Sequence, residues 1–322
     1  VTISEADGVG ARPFAERLAE AVLAKNSRVC VGLDPVITEL PAKVAADAVE
    51  RHGDGQLAVA MALLEFGRGI IDAVAPYAAV LKPQSAFFEA CGPAGLYVLH
   101  ALMLYGRERG LVVIEDAKRN DIGSTAEAYA QAHLGRMTLV GGDTAPAFDA
   151  DALTINPYLG RDGLMPFIKA ATRYGKGMFV LVRTSNPSAG DLQDLEVEGE
   201  PVYLRVARLL AELSEGLQSS GGYTPVGAVV GATYPQQAAL VRQALPHSWF
   251  LVPGYGAQGA TAADVAVNFD RDGLGAIVNS ARGIIFAHKQ PWAKEQGLTW
   301  QDAAAEATRQ MRDAINQALA ER

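Results

Sequence analysis

The sequence predicts a (β/α)8 TIM barrel with loop insertions, and three observations carry that prediction. Short β-branched runs alternate with helix-like segments eight times along the chain. The runs are apolar for most of their length and turn polar at their C-terminal ends, and no low-complexity linker or internal repeat divides the 322 residues. Alternating strands and helices build a parallel sheet, and eight repeats close it into a barrel whose active site lies at the C-terminal strand ends. An open doubly wound sheet is the competing arrangement. Length alone suggests two domains at about 150 residues each, yet barrels exceed that size as single units. The expectation is one barrel domain over residues 1–322, with an N-terminal and a C-terminal helix as extensions.

In chain order, the candidate strands are residues 28–33, 78–81, 111–117, 152–155, 178–184, 226–231, 249–252 and 276–279. Each is a short β-branched run that stops at a polar or glycine-rich turn. Five show the polarity gradient plainly: VCVGLDP, AVLKPQ, LVVIEDAK, ALTINP and MFVLVRTSN. The candidate helices are residues 56–74, 94–109, 124–137, 163–173, 201–218, 235–244, 261–269 and 300–319. The remaining length sits in 36–55, 134–151, 187–200 and 289–298, read as loop insertions and not as a second domain.

Composition narrows the function. Apolar residues make up 49% of the chain, enough for a large core, and a net charge of -8 gives no overall positive field for nucleic acid or an anionic membrane. An anionic ligand therefore needs a local site. Cys30 and Cys91 form no disulfide framework and lack zinc-ligand spacing, which fits a reducing cytoplasm. Glu5, Asp7, Arg12, Glu16 and Arg17 interrupt the N-terminus where a signal peptide needs an apolar stretch, and no apolar run long enough to span a membrane occurs.

The third strand carries the most informative run. Residues two apart on a strand share a face, so Val112, Ile114, Asp116 and Lys118 are expected to point the same way, with Glu115 turned toward the helices. A solvated ion pair at a strand end is the plain alternative, worth ~0 to 1 kcal/mol. Lys82 ends the second strand in the same manner and Asp34 ends the first. Like charges about 4 Å apart repel by ~4 kcal/mol at an effective dielectric of about 20, so alternating acids and bases suit such a rim. The array keeps a lysine charged, the opposite of what Schiff-base chemistry needs.

A second site is expected at the seventh and eighth strands. Gly254-Tyr255-Gly256-Ala257-Gln258-Gly259 matches G-x-G-x-x-G, but it follows the seventh strand, whereas a dinucleotide fingerprint opens a domain. Barrel loops after strands seven and eight bind phosphate through backbone N–H groups, and Arg282 follows the eighth. Cys30 and Gly32 are expected to fill the interior. None of the five histidines ends a strand, so no histidine base is proposed. Asn156 and Arg183 lie at strand ends without an assigned role.

At these residues the chain resembles the orotidine 5'-phosphate decarboxylase family, most closely its longer bacterial branch. Asp116, Lys118 and Asp121 form a D-x-K-x-x-D pattern, and GLDP, LKPQ, TSNP, PGYGAQG and ARG occur in the family's order between about Arg28 and Ala287. The resemblance implies decarboxylation of orotidine 5'-phosphate to UMP in pyrimidine biosynthesis, without metal or organic cofactor. It implies Lys118 as proton donor, Asp116 beside the substrate carboxylate, and Asp34 and Lys82 at the ribose. Gln258 and Arg282 would grip the phosphate with backbone contacts from Gly259 and Ala281, and Ser185 would bond the pyrimidine. Asp121, Ile122 and Thr125 would reach into a neighbouring subunit's site, making a homodimer. Asn120 stands where this branch is expected to carry glycine, and asparagine tolerates left-handed geometry. Two other readings remain: a metal-dependent enzyme of keto-sugar phosphates on the same fold, and a non-catalytic nucleotide-phosphate binder.

Overall fold

Eight parallel strands close into a barrel in chain order: β1 (Val29–Leu33), β2 (Val80–Pro83), β3 (Val112–Arg119), β4 (Ala152–Ile155), β5 (Gly177–Arg183), β6 (Val226–Val230), β7 (Phe250–Val252) and β8 (Ala276–Ser280). The structure is a computed structural model and describes residues 12–256 and 259–322. β1 closes the ring against β8 with Val29 opposite Val278 and against β2 with Cys30 opposite Val80. Every expected strand is present, with ends shifted by no more than two residues.

Period-two alternation sorts the strands into two cores. Val29, Val31 and Leu33 pack outward against the helices, while Cys30, Val80, Val112, Ile114, Ala152, Phe179 and Ile277 belong to a separate interior cluster. The helix Phe14–Lys25 joins that interior cluster through Phe14, Leu18 and Val22, and Phe14 meets Phe179 edge to face at 5.9 Å between ring centroids. It seals the end of the barrel opposite the strand C-termini.

Helices Gln56–Val74 and Pro235–Ala244 have the expected bounds. Three others end early. The segment 124–137 is helical only to His133, because Met137–Thr138 pairs with Thr144–Ala145 in a hairpin; 201–218 stops at Leu213; and 261–269 keeps only Ala262–Ala266. The insertions also hold regular structure. Residues 36–55 contain the helix Ala42–His52, which buries Val44 and Ala48, and 187–200 holds the short helix Gly190–Gln193 and a two-stranded ribbon. Among the described residues no helix is long and apolar enough to cross a membrane.

Candidate active site

The strand C-termini surround a cavity of about 530 Å3, walled on one side by Asp34, Lys82, Asp116 and Lys118 and on the other by Ser185, Ala281 and Arg282. Side-chain alternation explains the first three. Asp34 follows Cys30 and Gly32, Lys82 follows Val80, and Asp116 follows Val112 and Ile114, so each acid or base continues the inward face of its strand beyond the apolar core.

Lys118 arrives by a different route from simple alternation. Glu115 pairs with Leu153 and Arg119 with Ile155, so Asp116, Ala117 and Lys118 stand opposite the single residue Thr154. Lys118 absorbs the excess with a left-handed backbone, φ 50°, a conformation that costs a residue with a side chain roughly 1–2 kcal/mol. The bulge returns its side chain to Asp116. Asn120, by contrast, is not left-handed; its amide donates to the Asn156 carbonyl and ties the chain after β3 to the chain after β4.

Asp116 accepts four hydrogen bonds. Lys118 Nζ (2.6 Å) and Thr154 Oγ1 (2.9 Å) donate to Oδ1, while Lys82 Nζ (2.5 Å) and Gln84 Nε2 (2.9 Å) donate to Oδ2. Burial opposes ionisation of this carboxyl, but the Lys82 and Lys118 ammonium groups outweigh it and hold its pKa well below the usual carboxylate range. Burial likewise opposes the charge on Lys82, and Asp116 and Asp34 overcome it, raising the lysine above its ordinary value. Asp34 goes the other way. Burial raises its pKa despite Lys82, and its Oδ1 is buried without a hydrogen-bond partner. Beneath the array, burial pushes the Cys30 thiol up to about 12, leaving an inert floor.

The outer face of β3 is equally organised. Glu115 is buried among the helices, accepts from Ser85 Oγ at 3.2 Å, and lies 2.8 Å from His133 Nδ1. His133 also stacks on Phe148, so it is a satisfied packing residue.

On the opposite wall, Gly254, Gly256 and Gly259 all have left-handed φ, which lets the turn after β7 fold tightly. The Gly256 N–H donates to the Ala260 carbonyl at 2.9 Å. Gln258 lies outside the described residues. Ala281 and Arg282 line the cavity directly, and Gly32 permits that approach: a Cβ there would stand 2.6 Å from Ala281 Cβ.

Ser185 lines the cavity at the end of β5, but its neighbour Arg183 does not. Arg183 is buried, donates to Gln237 Oε1 at 2.7 Å and Asp194 Oδ2 at 3.1 Å, and lies under the Tyr234 ring. Asn156 is also structural, capping its own turn through the Tyr158 N–H. Asp121, Ile122 and Thr125 are not brought into this chain's cavity; Ile122 and Thr125 are exposed, and the Asp121 carboxylate accepts from the Ile122 N–H at 2.8 Å.

Sequence reasoning missed Thr154 and Gln193. Thr154 had a signal, as the one hydroxyl on the inward face of an apolar strand. Gln193 had none. It reaches back from the insertion to accept from the Thr184 N–H and to donate to Thr184 Oγ1, so only tertiary docking reveals it.

A barrel with an ionised carboxylate bridging two ammonium groups at one side of its mouth, and an arginine and glycine turn at the other, is an enzyme fold equipped for an anionic substrate. The family described as Orotidine 5'-phosphate decarboxylase / HUMPS matches residues 27–295, and the chain belongs to it. It is 48% identical over 304 residues to the orotidine 5'-phosphate decarboxylase of Rhodopirellula baltica, covering 94% of this chain and 98% of that one. The corresponding protein of Caldicellulosiruptor bescii is 44% identical over 276 residues, with 86% and 90% covered. Among solved structures, the OMP decarboxylase of Leishmania donovani superposes with a TM-score of 0.67 at 34% identity, covering 95% of this chain and 99% of that one.

Proposed function

We propose that this chain converts orotidine 5'-phosphate to UMP and CO2 in pyrimidine biosynthesis, with Lys118 as the proton donor. The observation that carries the residue-level reading is the fourfold-bonded Asp116 carboxylate beside the Lys118 ammonium inside the cavity. The bond from pyrimidine C6 to the carboxylate breaks, its electron pair stays on C6, and CO2 leaves. A cation near C6 stabilises that charge and then supplies the proton. Lys118 is placed for this. Both lysines contact Asp116, but the Lys118 side chain is 45% exposed in the open mouth and that of Lys82 only 6%.

Asp116 cannot take a proton without giving up its ion pairs, so it faces the substrate carboxylate as an anion. The repulsion disappears when CO2 departs. The unpartnered Asp34 Oδ1 and the Lys82 ammonium suit ribose hydroxyls, and Ser185 suits the pyrimidine edge. Arg282 grips the phosphate with Gln258, aided by the backbone at Gly259 and Ala281. The exposure of Ile122 and Thr125 fits a homodimer in which Asp121, Ile122 and Thr125 complete the partner's site. Two buried free cysteines fit a reducing cytoplasm.

The direct test follows the loss of orotidine 5'-phosphate absorbance in EDTA for the chain and for Lys118→Ala. Turnover by the chain alone is expected; turnover abolished by the chelator, or full turnover by the variant, overturns the reading. For the shared site, mixing Asp121→Ala with Lys118→Ala under subunit exchange should restore activity through one intact site per mixed dimer.

A further inference from the structure

We propose that Thr154 is a positioning residue for proton transfer, its single hydroxyl setting both the Asp116 carboxylate and the stretch of main chain from which Lys118 projects. This rests on the roles given above to Asp116 and Lys118. Thr154 is buried on β4, directly opposite the bulge in β3. Its hydroxyl has one proton and two lone pairs. Ionised Asp116 only accepts, so the proton goes to Oδ1 at 2.9 Å, and a lone pair meets the Lys118 N–H at 2.9 Å.

The second bond explains how the bulge is held. Ladder pairing is interrupted between Glu115 and Arg119, and the Thr154 hydroxyl takes the Lys118 N–H there. The same oxygen thus fixes a left-handed residue and the carboxylate that its ammonium contacts. Barrel packing does not call for a hydroxyl at this depth: Leu181, Val229 and Leu251 line the same cavity from β5, β6 and β7 with apolar side chains. Valine would match the shape of Thr154 and make neither bond. Without them the main chain at Lys118 is free to leave its left-handed conformation, and the ammonium moves relative to C6. Arg282, on the far wall, is untouched, so nucleotide binding should persist.

Thr154→Val and Thr154→Ser separate the hydroxyl from the fold. Steady-state kinetics with orotidine 5'-phosphate, UMP affinity by calorimetry and thermal melting are measured on the full chain. The valine variant should lose about tenfold to a hundredfold in kcat, the loss expected from hydrogen bonds to a charged group. Its KM and UMP affinity should stay within about threefold, and the serine variant should keep kcat within about threefold of the parent. The inference is overturned if valine keeps the parent kcat, if UMP binding falls in parallel with kcat, or if serine is as impaired as valine. Should the valine variant fail to fold, Thr154→Ala against Thr154→Ser decides by the same measures. A parent chain with no turnover overturns the decarboxylation reading and this inference with it, whereas normal parent turnover with an unimpaired valine variant overturns the role of Thr154 alone.

Discussion

The two walls of the cavity are built on opposite plans. On the β1 to β4 side, every acceptor site of Asp116 is occupied by a side chain from β2, β3, β4 or the start of the helix after β2. On the β7 and β8 side, Gly254, Gly256 and Gly259 are left-handed, and among the described residues Arg282 makes no side-chain hydrogen bond. One wall is knit together by its own side chains, and the proposed phosphate wall is not. Charge that must act on a developing carbanion is best fixed in advance, because reorientation during reaction would cost the stabilisation it supplies. A phosphate that does not react can be gripped by groups that settle on binding.

That contrast predicts which variants damage chemistry and which damage binding. Lys118→Ala should have the largest effect, lowering kcat by about 10²–10⁴-fold or more, read from substrate absorbance. Asp116→Ala should follow, costing about 3–5 kcal/mol of stability in urea at neutral pH because it leaves the Lys82 ammonium buried without its partner. The sign with pH is fixed by linkage. The folded Asp116 carboxyl lies below its unfolded pKa, so its contribution is present above the unfolded value and is lost as pH falls toward the folded one; the gap between parent and variant should narrow in acid.

Arg282→Ala tests the opposite wall: KM should rise about tenfold to a hundredfold with a smaller change in kcat, and an equal loss in kcat would erase the division of labour between the walls. The smallest effect is expected for Asp34→Asn. Burial raises the folded pKa of Asp34, so the folded state binds its proton more tightly and this carboxyl opposes folding as pH rises through the carboxylate range. The asparagine variant should therefore melt no lower than the parent at pH 7, and the difference should fade in acid, while activity falls.

The first wall was largely legible from sequence, because alternation along a strand and polarity at its end are local properties. Asp34, Lys82 and Asp116 lie where that pattern places them. Lys118 reached the expected position through a bulge, since strand pairing across β3 and β4 is a tertiary fact that no single strand encodes. Arg183 shows the limit of the pattern. It ends β5 as the others end theirs, yet Gln237, Asp194 and the Tyr234 ring draw it into the helix layer. The helix Ala42–His52 lies in a segment expected to be an inserted loop, and it buries only Val44 and Ala48, too few apolar positions to set a helical period apart.

β3 places Glu115 and Asp116 side by side, one held by Ser85 and His133 among the helices, the other by two lysines in the mouth. A strand slipped by one residue would exchange their faces and still present a carboxylate to each, so polarity alone does not reject the error. What rejects it is partner chemistry: the longer Glu115 would enter a clamp sized for aspartate, and the shorter Asp116 would face an imidazole and a hydroxyl sized for glutamate. The Ser85 and His133 contacts behind β3 fit a glutamate and the two lysines in front fit an aspartate, so the adjacent carboxylates mark the register of the strand from both faces.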